Sequence, residues 1–416
     1  MKRARNLDLN ALLWALVFCF GVGDGRSVTG IFQQYLSVVK VSMGKSSFHT
    51  WMTKKELPEW LQGIVVHVMD KMTKELDVKL GGVLGQFKEL FSIDSTIIKL
   101  HECLQNIFPG SRTNHSPAAL KVHVVQKVSG SGVESIRVTD GKTADIKALL
   151  IGPWVRGALF LMDLGYYSFR KFVRIAENGG YFISRVKVGA NPKIVKSLKS
   201  HRGRAVNVAG KRLKEILPLM LRQVIDIEVV VEFERRAYGG KKPRRDRQVL
   251  RLVGIWNAEE KRYHLYFTNL TPEQLSAEAI ATAYSQRWQI ELLFRQLKGV
   301  HRLDEIPGRN ANTATAMIFS AIISMLVTRT LVTAIRDALR LQEPEAPHER
   351  AGRVIQRQCA NLLRLVVLAP REVGRLQIDI ERVLLDQVPD PNRGRRLLLH
   401  GIQNLMADGM TQTMTG

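Results

Sequence analysis

Residues 284–298 read YSQRWQIELLFRQLK. Wound as an α-helix at about 100° per residue, the segment sets Tyr284, Arg287, Glu291, Arg295 and Lys298 on one stripe about 80° wide. Ile290, Leu293, Phe294 and Leu297 gather on the opposite face. The apolar face predicts packing on a core. The other face presents one carboxylate flanked by cations and a phenol. An ordinary amphipathic helix with a solvated charged face has the same pattern, so the helix decides nothing without partners.

Two partners stand upstream. Asp94 lies inside the strand-like run FSIDSTII at 91–98, and Asp163 closes ALFLM at 158–162. An acidic residue inside or closing an apolar strand is costly unless it is paired or metal-bound. A turn or cap role is an alternative for either residue, less so for Asp94 than for Asp163, which lies two residues before Gly165. Together the three carboxylates suit a hard cation, because magnesium takes a few carboxylates alongside waters and phosphate oxygens. Two such ions can drive in-line displacement at phosphorus.

Around these residues the chain falls into five stretches. Residues 1–85 read as helical, with an apolar run at 9–20 and apolar residues at helical spacing over 61–76. Residues 86–190 form a mixed α/β stretch, with strands predicted at 91–94, 120–128, 133–138, 158–162 and 181–186 and helices at 143–150 and 168–178. Residues 191–262 read as a β-rich insertion: a helix over 211–223 broken at Pro218, then strands at 225–233 and 248–256, with a third at 262–268 on its border. The first two strands are joined by a loop holding Arg235, Arg236, Lys241, Lys242, Arg244, Arg245 and Arg247. Such a loop is commonly just solvated, yet it also suits phosphate contact. Residues 263–341 carry long helices at 277–298 and 313–341, and 342–416 form a basic helical region behind a proline-bounded linker.

Lysine and arginine number 62 against 38 acidic residues, a formal charge of +24. A surplus of that size repels itself in a compact state and calls for a polyanionic partner. Nucleic acid is the first candidate and an anionic membrane the second. With 45% apolar residues, the 416-residue chain is globular and long enough for two or three domains. Cys19, Cys103 and Cys359 form no C-x-x-C pair, which speaks against a zinc ribbon or a disulfide framework and fits a reducing cytoplasm. Gly141-Lys142-Thr143 lacks the glycine a phosphate loop needs at position 136, where Ile136 stands, so ATP-driven chemistry has no support. The apolar runs at 11–22 and 317–327 are too short to span a bilayer and read as buried helices. The first follows Lys2, Arg3 and Arg5, as in a signal peptide, but Asp8 and Asn10 interrupt the approach and Gly23-Asp24-Gly25-Arg26 is a poor cleavage site.

Tyr284, Arg287, Glu291 and Lys298 match the Y-x2-R-x3-E-x6-K signature of DDE transposases of bacterial insertion sequences, the group named insertion sequence four-like. Asp94-Ser95-Thr96 and Asp163-Leu164-Gly165-Tyr166 resemble that group's first and second aspartate motifs, and the likeness covers residues 9–335. The resemblance implies a ribonuclease H-like α/β catalytic core with a β-rich insertion, flanked by helical N- and C-terminal regions. It implies that Asp94, Asp163 and Glu291 hold two Mg2+ or Mn2+ ions, and that Tyr284, Arg287 and Lys298 contact DNA near the cleaved end. Arg295 joins them from the shared stripe. The partners implied are double-stranded DNA, as terminal inverted repeats and target, and a second copy of the chain in a DNA-bound homodimer. Because family members form a hairpin at the transposon end, Trp256 becomes a candidate to hold a displaced base, with Trp288 as rival. Cross-strand packing is the plainer reading of Trp256. Family members usually carry more sequence ahead of the first apolar helix, which begins here near residue 9, so a truncated terminal-repeat-binding region is expected. Two other functions remain open: a DNA-binding remnant that represses without cutting, and a ribonuclease H-like nuclease that hydrolyses without joining.

Overall fold

A computed structural model of the chain describes residues 7–21, 26–40, 43–75, 82–111, 116–128, 132–201, 204–205, 207–220, 223–235, 242–304, 306, 308–341, 345–368 and 370–391. In chain order the helices are α1 (Leu9–Val17), α2 (Val28–Leu36), α3 (Lys45–Met52), α4 (Glu56–Glu75), α5 (Asp145–Ala148), α6 (Phe169–Glu177), α7 (Leu213–Ile216), α8 (Ala277–Ser285), α9 (Trp288–Gly299), α10 (Ala311–Leu339), α11 (His348–Arg357), α12 (Cys359–Val367) and α13 (Pro370–Gln387). The strands are β1 (Glu89–Lys99), β2 (Ala119–Lys127), β3 (Val133–Asp140), β4 (Ala158–Met162), β5 (Tyr181–Arg185), β6 (Lys193–Ser197), β7 (Ser200–His201), β8 (Arg204–Ala205), β9 (Val224–Arg235), β10 (Arg244–Asn257) and β11 (Arg262–Thr268). The chain divides into two compact units: residues 73–97 with 121–292, and residues 1–72, 98–120 and 293–416.

The first of these units is built on a nine-stranded sheet ordered β3-β2-β1-β4-β5-β11-β10-β9-β6. Strands β1, β4 and β5 run parallel, and β11, β10, β9 and β6 continue the same sheet in antiparallel pairs. Every side chain of β4 is buried, because both faces of the sheet are covered. Phe160 and Met162 join Phe91, Ile93 and the α6 residues Phe172 and Ile175 on one face. Leu159 and Leu161 join Leu90 and the α8 residues Ala277, Ile280 and Ala283 on the other. A strand buried on both sides has no polar face to show, which is why 158–162 reads as a continuous apolar run. Helix α6 stops where expected, at Gly179, whose φ of +74° suits glycine.

Three helical expectations are corrected here. Of 143–150, only Asp145–Ala148 is helical. In 211–223, α7 is a single turn followed by a 3-10 turn over Leu217–Leu219 that contains Pro218. The segment 284–298 is not one helix: α8 ends at Ser285 and α9 begins at Trp288. Between them Arg287 N–H donates to the Tyr284 carbonyl and Ile290 N–H to the Arg287 carbonyl, three-residue spacings that tighten the chain. The Arg287 carbonyl also accepts from the buried Ser92 hydroxyl of β1 at 3.3 Å. That tertiary bond lies outside what local periodicity can register.

In the other unit, the apolar run from residue 11 is α1, with Ala11, Leu12, Ala15, Leu16 and Val17 buried and Asp8 capping it through the Ala11 N–H. Val22 lies outside the described residues. Helix α10 carries the run at 317–327. Its Ser320 and Ser324 hydroxyls donate to the Leu16 and Val17 carbonyls, satisfying two acceptors that the end of α1 leaves open. Among the described residues α10 alone is long and apolar enough to cross a membrane, and 72% of its most apolar window is buried inside the protein.

Candidate active site

The β1–β4 register pairs Ser92 with Leu161 and Ile93 with Met162. Asp94 and Asp163 are the next residues on each strand, so parallel pairing brings them to one level. Side-chain alternation then puts both on the α8 side of the sheet, with Leu90 and Ser92 on one strand and Leu159 and Leu161 on the other. Asp163 adopts extended backbone angles and leads into a 3-10 turn over Leu164–Tyr166, where its side chain makes no capping bond.

Arg287 ties this corner to the helix that follows. Its guanidinium lies 3.6 Å from Asp94 Oδ2 through Nη1 and 2.5 Å from Glu291 Oε1 through Nη2. The Arg287 side chain is 18% exposed, and its cation stands 5.9 Å from the centre of the Tyr284 ring. Burial is the main influence on Asp94 and pushes its carboxyl up to about 6. The Ser95 N–H and Arg287 oppose that shift, while Asp163 and Asp145 add to it by repulsion.

The other expected residues fall as follows. Tyr284 is buried, its hydroxyl donating to the Met162 carbonyl at 3.3 Å and its ring packed on Tyr266. It therefore does not share an exposed stripe with Arg287, a correction that follows from the break between α8 and α9. Arg295 and Lys298 lie one and two turns beyond Glu291 on α9, Arg295 exposed and Lys298 half-buried. Trp256 sits opposite Tyr263 on β11, ring centres 5.0 Å apart and edge-on, and remains 40% exposed. The basic loop expected over 235–247 is shorter than that, a correction: Arg235 ends β9 and Arg244, Arg245 and Arg247 lie on β10, because the two strands pair to their tips, with Arg244 opposite Arg235. Arg236 and Lys241 lie outside the described residues. Arg235 is engaged by Glu177 and Asp246, whereas Lys242, Arg244, Arg245 and Arg247 are exposed.

Sequence reasoning missed a second cluster on the opposite side of Asp94. Ser95 Oγ donates to Asp145 Oδ1 at 2.8 Å, and Lys121 Nζ stands 3.0 Å from the same oxygen. His123 Nε2 lies 2.9 Å from Thr139 Oγ1, and its Nδ1 lies 3.4 Å from the Tyr166 hydroxyl. Burial lowers the His123 ring to about 4, so it is neutral at ordinary pH. A signal was present: Lys121 and His123 alternate through the apolar run at 120–128. Polar residues on a strand face invite the reading of a solvated face, which the burial of both side chains contradicts.

A sequence model of the transposase DDE domain matches residues 85–327, more than half of the chain. The chain belongs to that family. Among the relatives of this DDE-domain protein is a transposase for insertion sequence element IS231F from Bacillus thuringiensis subsp. israelensis, 21% identical over 62% of this chain and 59% of the relative. A transposase for IS231E from Bacillus thuringiensis subsp. finitimus is 22% identical over 72% of this chain and 68% of the relative. A transposase for IS1151 from Clostridium perfringens is 22% identical over 65% and 63%. The chain thus spans about three fifths to two thirds of the length of the relatives it matches.

DDE transposases use a divalent metal, and the donor chemistry here fits one. Asp94 and Asp163 bring hard oxygens to one strand end, and their mutual repulsion contributes to the raised Asp94 carboxyl. Among the described residues, no three acidic, histidine or cysteine side chains stand together at ligating distance. Glu291 is joined to Asp94 through the Arg287 guanidinium, which supplies positive charge between them.

Proposed function

We propose that this chain is a cut-and-paste transposase: it cleaves DNA at the ends of an insertion sequence and joins those ends to a target. The observation that carries this reading is the placement of Asp94 and Asp163 at one level on adjacent parallel strands, with Arg287 linking Asp94 to Glu291. Asp94, Asp163 and Glu291 would hold two Mg2+ or Mn2+ ions. Bound there, the metal supplies activation of a water or 3′-hydroxyl and charge neutralisation at the leaving oxygen. The parallel β1–β4–β5 core with its antiparallel extension supports a ribonuclease H-like arrangement, with 191–262 as the insertion.

Arg287, Arg295 and Lys298 offer cations for backbone phosphates of the bound end, consistent with the Y-R-E-K group. Tyr284 acts from beneath: its ring backs the Arg287 cation and its hydroxyl holds the β4 carbonyl next to Asp163. Trp256, exposed enough to offer a stacking face, would hold a displaced base during hairpin formation. Its replacement by Ala should then slow hairpin formation but not the first nick. A DNA-bound homodimer in the bacterial cytoplasm and nucleoid, joining two ends, completes the reading.

The test is an assay of end cleavage and strand transfer on DNA carrying the element's terminal repeats, with and without Mg2+ or Mn2+. Metal-dependent nicking followed by joining is expected. Nicking without joining would favour a hydrolytic nuclease, and binding without nicking a repressor.

A further inference from the structure

Asp145 is not part of the reading above, yet its carboxylate touches both segments that carry the catalytic aspartates. One oxygen, Oδ1, accepts from the hydroxyl of Ser95, the residue after Asp94, at 2.8 Å. The other, Oδ2, faces Gly165, two residues after Asp163. A Cβ built on Gly165 would fall 2.8 Å from that oxygen, closer than side chains tolerate, so the turn over Leu164–Tyr166 is packed directly on the carboxylate. Lys121, itself tied to the Thr143 carbonyl at 2.9 Å, balances the Asp145 charge at 3.0 Å. The Tyr166 ring is fully buried, and its hydroxyl is 3.4 Å from His123.

We propose that Asp145 is a positioning residue, a bracket whose two oxygens fix the Ser95 and Gly165 segments against each other and so set the spacing of Asp94 and Asp163 for metal. Its own charge is satisfied by Lys121 rather than by the cation. This gives a physical reason for Ser95 in the first aspartate motif and for Gly165 in the second. Groups that orient metal ligands in this way commonly contribute about 10–100-fold in metal affinity. The inference rests on the reading of Asp94 and Asp163 as metal ligands.

The test measures Mn2+ binding to the purified full chain by electron paramagnetic resonance, together with a thermal melt, and needs no cleavage. Ser95→Ala removes one hydroxyl and no proposed ligand. It should raise the Mn2+ Kd about 10-fold or more with little change in melting. Ser95→Thr, which keeps the hydroxyl, should restore affinity. Asp145→Ala should weaken binding at least as much, and adding Ser95→Ala to it should cost little more, because the two act through one contact. Asp145→Ala also leaves Lys121 as an uncompensated buried charge. Should that variant fail to fold, the Ser95 pair decides. Wild-type Mn2+ affinity in folded Ser95→Ala would overturn the role of Asp145 while leaving the metal site standing. Absence of Mn2+ binding by the unaltered chain would instead overturn the metal site itself, and the bracket with it.

Discussion

Asp94 and Asp163 each follow the last paired residues, Ile93 and Met162, on two adjacent parallel strands, so the two carboxylates share one corner of the sheet. Burying two like charges side by side is unfavourable unless a cation joins them. Replacing Asp94, Asp163 or Glu291 by Ala should therefore abolish DNA cleavage while leaving binding to the terminal repeat nearly unchanged. Gel-shift and nicking assays on the same preparations separate the two effects. A variant that still cuts at near-normal rate removes that residue from the ligand set.

Protons and metal should compete at Asp94. Its carboxyl is held up to about 6, first by burial and then by Asp163 and Asp145 against the Ser95 N–H and Arg287. The folded value lies above the ordinary carboxylate value of about 3.9. Asp94 thus contributes stability that is fully present below the ordinary value and lost as pH rises through about 6. A divalent cation relieves that loss by binding the ionised form. Mn2+ affinity should consequently weaken as pH falls through about 6, a dependence measurable by titration across about pH 5–8. A flat profile would place the titrating carboxyl away from the metal.

The buried pair Arg251–Asp226 anchors the far side of the sheet. Two hydrogen bonds of 2.8 and 2.7 Å join them, and Arg251 also donates to the Leu270 and Leu275 carbonyls that lead into α8. With the side chains 4% and 5% exposed, removing one partner strands the other charge. Asp226→Ala or Arg251→Ala should cost about 3–5 kcal/mol in denaturant unfolding, and the double replacement by apolar residues much less. A loss below about 1 kcal/mol, the range of an exposed pair, would mean that water reaches the pair.

Of the cations expected in the loop over 235–247, Arg235 is paired with Glu177 and Asp246 and Arg244 also lies 3.9 Å from Asp246, while among the described residues Lys242, Arg245 and Arg247 are exposed and open to phosphate. Affinity for DNA should fall steeply with salt. Replacing Arg244, Arg245 and Arg247 by Gln should flatten the log–log slope by about 0.9 for each phosphate that is no longer neutralised. Replacing Arg235 should instead lower stability and change the slope little. An unchanged slope in the triple variant would make the start of β10 an ordinary solvated surface.

The strands were legible because 158–162 is a continuous apolar run buried on both faces and 225–233 is rich in β-branched residues, properties written in consecutive residues. The aspartates stood out for the same reason, as charges where apolar side chains were expected. The break at Gln286–Arg287 was not legible: the Ser92 hydroxyl that meets the Arg287 carbonyl there comes from 195 residues away. The exposed stripe inferred from a continuous helix fails for Tyr284 on that account. Asp145 was hidden because an acidic residue in the first turn of a short helix reads as an ordinary N-terminal charge. Its importance appears only when Ser95, Lys121 and Gly165 converge on it.

The claim that matters most is direct contact between metal and the paired aspartates, and a change of donor atom tests it. Thiolate sulfur is a poor ligand for Mg2+ but is tolerated better by Mn2+. Cleavage by Asp94→Cys and Asp163→Cys should be lost in Mg2+ and recover in Mn2+, measured on the same labelled terminal-repeat DNA. Equal loss in both metals with a folded, DNA-binding protein, or full activity in Mg2+, would contradict ligation by these two residues.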